Sequence, residues 1–332
     1  MQNKLKRDFT SWGSRVFKGG GVSPLPLRVM EKLGFPEGEI YLLKSSGSGC
    51  KFYRIKDKDA IIVVIDGKHK EFNSYIEISK SLLKIGVAVP EIYYYNIEEK
   101  LIVEEDLGDL TLQSYIIKTD DFNIYKQVID VLILMQIRGK GLNNKVFGLP
   151  ALCWDAWYFG RYFLEAFCGI SNLSLQSEFH KLADKLAREP LYFMHRDFQA
   201  QNIMLKEGKV RIIDFQNAQQ GLLAYDLVSL LKDAYLPISD DIREEMIDYY
   251  LYQLKEHITL DKSHFRNVFL YAGLQRNMQA LGAFAYLSMI ENKVQFAEYI
   301  PRVVHYLLDA LKKVPEFPEL LKIVAEVNAI LG

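Results

Sequence analysis

The stretch Phe193-Met-His-Arg-Asp-Phe-Gln-Ala-Gln-Asn-Ile-Met-Leu-Lys-Glu-Gly-Lys-Val-Arg-Ile-Ile-Asp214 organises this sequence. Two short apolar runs, Ile203–Leu205 and Val210–Ile213, flank a Glu207-Gly208 turn, and this pattern is typical of a tight β-hairpin. Because a hairpin returns the chain to the end where it began, the residues just outside the two runs are expected to be neighbours.

Three polar side chains are predicted to meet at that end of the hairpin. Pairing across the turn sets Asn202 opposite Ile213, so Asn202 and Asp214 are expected to lie roughly 5 Å apart at Cβ. Asp197 precedes Asn202 by five residues, on the loop that leads into the first strand. The hairpin is thus predicted to bring together one amide and two carboxylates.

These residue types suit phosphoryl transfer from ATP. Mg²⁺ takes oxygen ligands, of which the protein usually supplies one or two, and a separate carboxylate must orient the attacking hydroxyl and take its proton. The spacing His-Arg-Asp-x-x-x-x-Asn matches the kinase catalytic loop, and Asp-Phe-Gln stands where protein kinases have Asp-Phe-Gly. The match predicts Asp197 as the base, Asn202 and Asp214 as Mg²⁺ ligands, and ATP and Mg²⁺ as cofactors. The alternative is an ordinary hairpin with polar ends.

Two further residues are predicted to hold this loop in place. His195 has no metal-ligand spacing around it, so its expected role is to pack and to hydrogen-bond the loop backbone. Asp226 stands at a helix start beside the loop and is expected to accept backbone N–H groups from it. Loss of Asp226 is therefore expected to cost activity.

The composition is that of a globular protein with room for two lobes. The chain has 332 residues, 49% of them hydrophobic and 25% charged, with a formal net charge of −1. Near-neutral charge argues against a nucleic-acid or anionic-membrane partner, and no run approaches the ~20 apolar residues of a membrane span. Three cysteines without a CxxC pair, and a basic N-terminus without an apolar core, predict a cytoplasmic protein. No obligate protein partner is evident in the sequence.

The first predicted hairpin carries a candidate phosphate-binding turn. It follows a predicted basic helix over residues 1–20 and pairs Ile40–Leu43 with Lys51–Ile55. Small residues at the turn would let backbone N–H groups approach the phosphates of a nucleotide, although most such turns bind nothing. The candidate residues are Ser46, Gly47, Ser48 and Gly49.

The next predicted strand, Ile61–Ile65, is apolar throughout and lacks the lysine that grips the α/β-phosphates in protein kinases. A substitute cation is expected nearby, and the sequence does not choose among four candidates, of which Arg54 is assigned to the cofactor site. The four are Lys51, Arg54, Lys68 and Lys70. Helical spacing follows over Glu71–Ile85.

A second hairpin, Val87–Tyr95 with Leu101–Glu105, is predicted to end the small lobe. The interlobe hinge is placed just after it, where strand becomes connector. Backbone groups of Glu104 to Asp106 are expected to read the adenine edge from this position.

The remainder is predicted to be mostly helical. Asp120 and Asp121 are expected to cap a helix that ends at Gly139. The aromatic-rich stretch Trp154–Phe167 favours helix core, with sugar stacking by one or two rings as the alternative. Further helices are predicted over residues 240–256, 263–289, 301–313 and 318–331.

The fold class predicted from these elements is α+β: a bilobal protein-kinase-like fold with a small antiparallel-sheet N-lobe and a larger, mostly helical C-lobe. Residues 1–106 are assigned to the N-lobe, with the N-terminal helix and the nucleotide-binding sheet. Residues 107–332 are assigned to the C-lobe, with the catalytic loop and the substrate pocket.

With these residues in place, the sequence resembles the aminoglycoside-phosphotransferase-type kinases, the small-molecule branch of the protein-kinase-like fold. The match is closer to one subgroup, the anomeric N-acetylmuramate/N-acetylglucosamine kinases, which are bacterial cytoplasmic enzymes of peptidoglycan recycling that phosphorylate the sugar 1-hydroxyl. The resemblance covers roughly residues 38–312, and the same strand lysine is replaced by an apolar residue in that subgroup. The runs that carry it are Phe193–Met204, Ile213–Ala218, Gly221–Tyr235 and Gly273–Gly282.

The substrate is expected to be a small neutral molecule. Asp226 follows Asp214 by only twelve positions and no Ala-Pro-Glu follows, which leaves no room for the segment that docks a peptide in protein kinases. The stretch Gln216–Tyr225 is neutral and rich in amides, which suit sugar hydroxyls better than a polycationic aminoglycoside. Gln199 and Gln201 depart from the subgroup, which is expected to have His and a basic residue there.

The resemblance implies an ATP- and Mg²⁺-dependent kinase that phosphorylates the anomeric hydroxyl of an amino sugar, with Asp197, Gln199 and Arg276 at the substrate. Arg276 is expected to meet the lactyl carboxylate of N-acetylmuramate, away from the 1-hydroxyl, or else to hold two helices together. Two alternatives remain: an aminoglycoside- or choline-type kinase, and a nucleotide-binding pseudokinase module suggested by the missing lysine.

Overall fold

The computed structural model describes residues 40–43, 51–55, 58–64 and 72–331. Three predictions fall outside these residues: the basic N-terminal helix, the small-residue turn and two of the four candidate cations. They concern residues 1–20, Ser46, Gly47, Ser48, Gly49, Lys68 and Lys70.

The chain divides into two compact units. The first comprises the chain up to Leu110 together with Met204–Asn217, and the second comprises Thr111–Ile203 and the chain from Ala218 onwards. The lobe boundary at residue 106 stays a prediction; the hairpin segment Met204–Asn217 clusters with the first unit, although the sequence assigned it to the C-lobe.

Strands and helices are numbered here in chain order. The strands are β1 (Ile40–Leu42), β2 (Lys51–Ile55), β3 (Ala60–Val64), β4 (Ile92–Asn96), β5 (Leu101–Glu105), β6 (Leu191–Met194), β7 (Ile203–Lys206), β8 (Lys209–Ile212) and β9 (Gln219–Leu222). The helices are α1 (Phe72–Lys84), α2 (Leu112–Thr119), α3 (Ile124–Arg138), α4 (Leu149–Tyr158), α5 (Gln176–Ala187), α6 (Tyr225–Leu231), α7 (Asp240–Leu254), α8 (Lys262–Met289), α9 (Ile300–Lys312) and α10 (Pro318–Leu331).

An antiparallel sheet of five strands, in the order β1-β2-β3-β5-β4, forms the core of the first unit. Alternation along the strands buries Ile62 and Val103 in one apolar cluster and Val63 and Ile102 in another, which includes the α1 residue Phe72. β5 lies between two neighbours, which explains why all its side chains are buried, including those of its two glutamates.

The hairpin predicted at the centre of the sequence is confirmed as β7 and β8. Glu207 and Gly208 both have positive φ, 53° and 71°, as the central residues of a type I′ turn require. Two backbone hydrogen bonds tie this hairpin into the first unit: Leu205 N–H donates to the carbonyl of Leu110 at 2.8 Å, and Ile212 N–H donates to that of Ala88 at 2.9 Å.

The second unit is helical, with one two-stranded antiparallel ladder between β6 and β9. Its longest helix, α8, packs against α9, α4 and the π-helical continuation of α4 over Phe159–Phe167. A Cβ at Gly282 would stand 2.7 Å from Cδ1 of Tyr158, so glycine permits the close approach of α8 to α4. The helices predicted at 240–256, 263–289, 301–313 and 318–331 are confirmed within one or two residues of their ends.

Two local predictions are wrong, one for the start of a helix and one for the start of a strand. Asp120 does not begin a helix: it ends α2 with φ 54° and its N–H donates to the carbonyl of Ile116, while Asp121 accepts from Asn123 just before α3. The strand predicted from Val87 begins only at Ile92, after a proline that cannot donate to a ladder.

The aromatic stretch divides between core and surface. Phe159 and Phe163 are fully buried, as helix core predicts, whereas the side chains of Trp154 and Trp157 are about half exposed. The α+β class is confirmed. Among the described residues, no helix is both long enough and apolar enough to cross a membrane.

Candidate active site

Asp226 anchors the catalytic loop, as predicted. Its buried carboxylate accepts the backbone N–H of His195 at 2.7 Å and of Arg196 at 3.0 Å. Arg196 has φ 78°, a left-handed conformation that these two hydrogen bonds help to hold. Burial raises the pKa of Asp226 to about 6, although His195 and the two N–H donors lower it.

A second anchor, Asp233, was missed in the sequence. One carboxylate oxygen accepts the N–H of Ala200 at 2.7 Å, and the other accepts the N–H of Tyr235 at 2.8 Å. Two buried carboxylates that follow β9 therefore hold the catalytic loop: Asp226 binds the backbone at Arg196, and Asp233 binds it at Ala200. Burial raises the pKa of Asp233 to about 6. The Lys-Asp-Ala-Tyr run carried this residue, but nothing in the run marks a loop anchor.

The loop backbone presents Asp197. Its N–H donates to Nδ1 of His195 at 3.3 Å, and its carbonyl accepts both the N–H of Gln199 and Nδ2 of Asn202, each at 2.9 Å. His195 therefore supports the loop from within, as expected. The Asp197 side chain keeps 42% of its surface exposed, so its carboxylate is open to a substrate hydroxyl.

Arg276 lies beside Asp197, the residue predicted as the base. Nη2 of Arg276 is 3.6 Å from Oδ1 of Asp197, while Nε donates to Ser229 at 3.0 Å and Nη1 to Gln279 at 2.6 Å. The cause is the packing of α8 on α6, which buries this guanidinium next to the loop. Gln199 lines a small cavity of about 20 Å³ together with Arg276. The three predicted substrate residues therefore lie together in the second unit.

Asp214 lies in the first unit, directly after the hairpin. It has φ 63°, which aspartate tolerates better than most residues, and its Oδ1 accepts Nε2 of Gln216 at 2.7 Å. Between them, Phe215 is fully buried and stacks on Tyr75 of α1 with ring centroids 4.7 Å apart. The Asp-Phe-Gln run is therefore fixed in the first unit through its aromatic ring.

Arg54 and Asp106, both assigned to the cofactor site, pair with each other. Nη2 of Arg54 donates to Asp106 and to Asp109, each at 3.0 Å. The hydrogen bonds that Arg54 donates to Asp109 and Asp106 raise the pKa of its guanidinium above the usual value. A phosphate would have to replace one of these carboxylates to reach the guanidinium.

The predicted adenine-reading backbone is partly used by the fold. Glu105 N–H donates to the carbonyl of Glu91 at 2.9 Å, and Asp106 N–H donates to that of Asp59 at 3.3 Å. Lys206, which sequence reasoning missed, donates to the Asp106 carbonyl at 2.8 Å. In the sequence, Lys206 is marked only as a basic residue at the end of an otherwise apolar strand.

Comparisons with known proteins show what this chain is similar to. The model of the phosphotransferase enzyme family matches residues 152–260. The N-acetylmuramate/N-acetylglucosamine kinase of Pseudomonas aeruginosa is 25% identical over 87% of this chain and 89% of its own length. That of Pseudomonas putida is 24% identical over 89% of this chain and 90% of its own.

The resemblance predicted from the sequence is confirmed: part of the chain matches the model of the phosphotransferase enzyme family, and the relatives that match most of the chain are named as kinases. Solved structures confirm the protein-kinase-like fold. A choline/ethanolamine kinase family protein from Mesorhizobium loti superposes with a TM-score of 0.64 at 16% identity, covering 90% of this chain and 97% of that one. An ADP-bound aminoglycoside phosphotransferase, APH(2'')-Ib, gives 0.58 at 12% identity, covering 87% and 98%. At these identities the likeness supports the fold alone.

The two predicted Mg²⁺ ligands each have an oxygen of the type that a hard cation takes. Asn202 gives Nδ2 to the loop backbone, which leaves Oδ1 as the atom that it would offer a metal, and Asp214 offers carboxylate oxygen. Among the described residues, no group of three or more His, Cys, Asp or Glu side chains could hold a metal. Mg²⁺ needs only one or two ligands from a protein and takes water and phosphate oxygens as the others, so Asn202 and Asp214 stay its predicted ligands.

The substitution Asp226→Asn should disturb the loop that carries Asp197. Asp226→Asn replaces one acceptor oxygen by an NH₂ group that faces a backbone N–H, so one charge-assisted hydrogen bond of about 1.5–3 kcal/mol is lost. We expect a lower melting temperature, and a fall in kcat of up to about 10², because the loop that carries Asp197 shifts.

The matched control for this change is Asp261→Asn. Asp261 also accepts two backbone N–H groups, those of Ser263 and His264, at the start of α8. It should lose stability without loss of kcat. An Asp226→Asn enzyme with unchanged kcat would contradict the anchoring role. Thermal unfolding and steady-state kinetics measure both effects.

The pH dependence of stability should carry the signature of Glu104. Burial raises its pKa from 4.5 to about 7, and a 2.6 Å hydrogen bond from the Tyr75 hydroxyl opposes the shift. Between these two values the folded state binds more protons than the unfolded one, so the free energy of unfolding falls as pH rises from about 4.5 to 7.

Glu104→Gln removes that titration and keeps an acceptor for Tyr75. Its melting temperature should therefore fall less than that of the wild type between pH 5 and 7.5. Glu98→Gln, at an exposed position of the β4–β5 turn, should keep the wild-type dependence. Melting curves across this range test the assignment, and parallel wild-type and Glu104→Gln profiles would refute it.

Proposed function

We propose that the protein is an ATP- and Mg²⁺-dependent kinase that transfers the γ-phosphate to a sugar hydroxyl, namely the anomeric hydroxyl of N-acetylmuramate or N-acetylglucosamine. The observation that carries the proposal is the exposed carboxylate of Asp197 on a loop anchored by two buried carboxylates. The names of the two Pseudomonas relatives, which match across most of their length, support the acceptor.

In this proposal the loop supplies a fixed base. The Asp197 carboxylate accepts the proton of the acceptor hydroxyl as its oxygen attacks the γ-phosphate. Because the loop backbone is tied to Asp226 and Asp233, the base is held in place before the substrate arrives. Gln199 and Arg276, which line the adjoining cavity, would position the sugar.

The cofactors are assigned to the remaining predicted residues. Asn202 and Asp214 would hold Mg²⁺, which when bound neutralises charge on the transferring phosphate. The Ser46–Gly49 turn and Arg54 would receive the phosphates. The remaining backbone groups of Glu104 to Asp106 would serve the adenine, since two N–H groups and the Asp106 carbonyl are already used there. We place the enzyme in the cytoplasm, in peptidoglycan recycling, with a small amino sugar as its partner.

A phosphorylation screen tests the acceptor. Purified protein, ATP and Mg²⁺ are mixed in turn with N-acetylmuramate, N-acetylglucosamine, aminoglycosides and choline, and ADP release is measured together with the phosphorylated product. The matched control is the 1-O-methyl glycoside of N-acetylglucosamine, which lacks only the anomeric hydroxyl. We expect turnover of the two free sugars and none of the glycoside.

The other outcomes separate the alternatives. Turnover confined to aminoglycosides or choline would show that the protein is an aminoglycoside or choline kinase and not a sugar kinase. The proposed base and Mg²⁺ ligands would stay the same. Nucleotide binding without turnover of any acceptor would favour the pseudokinase module. Phosphorylation of the methyl glycoside would show that a different sugar hydroxyl is the acceptor.

A further inference from the structure

A cavity of about 350 Å³ in the second unit is lined by residues of α7, α8 and α9 together with Lys232 and Lys313. Its charged lining residues are Lys232, Asp240, Arg243, Glu244, Arg266, Asp309 and Lys313. The cavity that Gln199 and Arg276 line is much smaller, at about 20 Å³, and has room for about one water molecule. Of these two cavities, only the larger has the size of a small-molecule site.

Both arginines of this cavity have carboxylate partners within the protein. Arg243 forms an ion pair with Asp240. Arg266 donates to Glu244 and to Asp248, at 2.7 Å in each case. The protein itself therefore balances the charge of both guanidinium groups.

The ammonium group of Lys232, just after α6, has no such partner. Within the described ranges of the chain, no group accepts a hydrogen bond from its Nζ or lies at ion-pair distance from it. A Cβ at Gly273 of α8 would stand 3.5 Å from this Nζ, so the ammonium group lies against the backbone of α8. A partly buried cation is costly to leave without a partner.

The charge of Lys232 persists at neutral pH. Burial, together with the positive charge of Arg243, lowers the pKa of Lys232 to about 8, while Asp309 and Asp240 act in the opposite direction. An ammonium group with this pKa is mostly protonated at pH 7. Asp240 is already paired with Arg243, and Oδ2 of Asp309 lies 3.1 Å from Nε2 of His305. The cavity therefore contains a cation that these two carboxylates do not contact.

We propose that this cavity binds the phosphate or carboxylate group of a small molecule, with the ammonium groups of Lys232 and Lys313 as its donors. Both groups are oxyanions, which accept charge-assisted hydrogen bonds from ammonium groups. The apolar part of the lining provides a surface for the rest of the molecule, and it consists of Ile247, Phe269, Leu270 and Ala310. The proposal is independent of the proposed function, because none of the residues assigned there lines this cavity. The competing account is that water alone solvates Lys232.

Isothermal titration calorimetry of the full chain tests the site. Inorganic phosphate and acetate are the two probes, because each carries one of the candidate groups by itself. We expect saturable binding of one anion per chain, and Lys232→Met should weaken that binding about tenfold or more, since a charge-assisted hydrogen bond is lost. The probe that binds more tightly identifies the chemical group. Absence of binding by both probes would overturn the proposal.

Lys185→Met is the matched control. Lys185 is also a partly buried lysine of the second unit, but its ammonium group already donates to Glu316 at 2.6 Å and to Tyr271 at 2.9 Å. Its substitution removes the same charge and should leave the affinity for the anion unchanged. Equal weakening in Lys185→Met and Lys232→Met would indicate a general effect of net charge and would overturn the proposal.

A second pair of variants locates the anion, because Lys232 lines both cavities. Lys313→Gln changes only the larger cavity, at an exposed position where the substitution should not disturb folding. Arg276→Gln changes only the smaller one. We expect Lys313→Gln to weaken anion binding and Arg276→Gln to leave it unchanged. If Arg276→Gln weakens binding as much as Lys313→Gln, or more, the anion lies at the candidate active site and the proposal fails.

Thermal unfolding gives an independent readout. A ligand that binds the folded state raises the melting temperature. The tighter-binding probe should therefore raise the melting temperature of the wild type and of Lys185→Met, and should raise that of Lys232→Met much less. An equal rise in all three proteins would contradict a site at Lys232.

Discussion

Replacing Asp197 by Asn is expected to lower kcat by about 10² or more while leaving ATP binding nearly intact. The substitution keeps the size of the side chain and the hydrogen bonds of the loop backbone, which involve the main chain of residue 197. It removes only the carboxylate that would accept the proton of the acceptor. Steady-state kinetics and nucleotide titration together measure the two effects.

The matched control is Asp184→Asn on α5. Its side chain is 43% exposed, against 42% for Asp197, and it pairs with Arg188 on the surface. This variant should keep full activity. If Asp197→Asn turns over near the wild-type rate, Asp197 is not the base, and the proposed mechanism fails at its first step.

The second large effect is expected at Asp214. Asp214→Ala should abolish Mg²⁺-dependent nucleotide binding more completely than Asn202→Ala, because a carboxylate offers a hard cation full charge and an amide offers only a dipole. Titration of Mg²⁺ against each variant, with nucleotide affinity as the readout, gives the ranking. Equal defects, or a larger defect in Asn202→Ala, would contradict it.

The Asp214→Ala substitution can act in two ways, through backbone strain and through loss of the metal ligand, and the experiment must separate them. Asp214 has φ 63°, a conformation that alanine adopts at a cost. Asp214→Asn is the matched variant, because asparagine tolerates that conformation and removes only the charge. We expect it to approach the alanine variant in Mg²⁺ dependence while nucleotide binding without metal stays unchanged.

Residues close together in sequence were the predictable part of this protein. The hairpin β7–β8 follows from two apolar runs around Glu207-Gly208, whose turn chemistry admits few other structures. Asp226 was predicted to accept backbone N–H groups of the loop because it stands at a helix start beside that loop. His195 was likewise placed inside the loop by its lack of any metal-ligand spacing.

Pairings between distant residues were not predictable. Arg54 meets Asp106 and Asp109 across 52 and 55 positions, and no local pattern ties an arginine on a strand to those two carboxylates. Lys232 gave no signal either, because a single lysine at the end of a helix is most often solvated. Its position against Gly273 depends on the packing of α8 on α6 in the second unit, which periodicity does not specify.

The first unit is built from two separate segments of the chain, and this has a consequence for synthesis. Leu110 leaves the ribosome long before Met204–Asn217, yet these segments belong to one unit and share hydrogen bonds such as that from Leu205 to Leu110. The first unit is therefore incomplete until Thr111–Ile203 of the second has been translated. A fragment that stops after residue 110 lacks part of its own unit, and neither unit corresponds to one continuous piece of the gene.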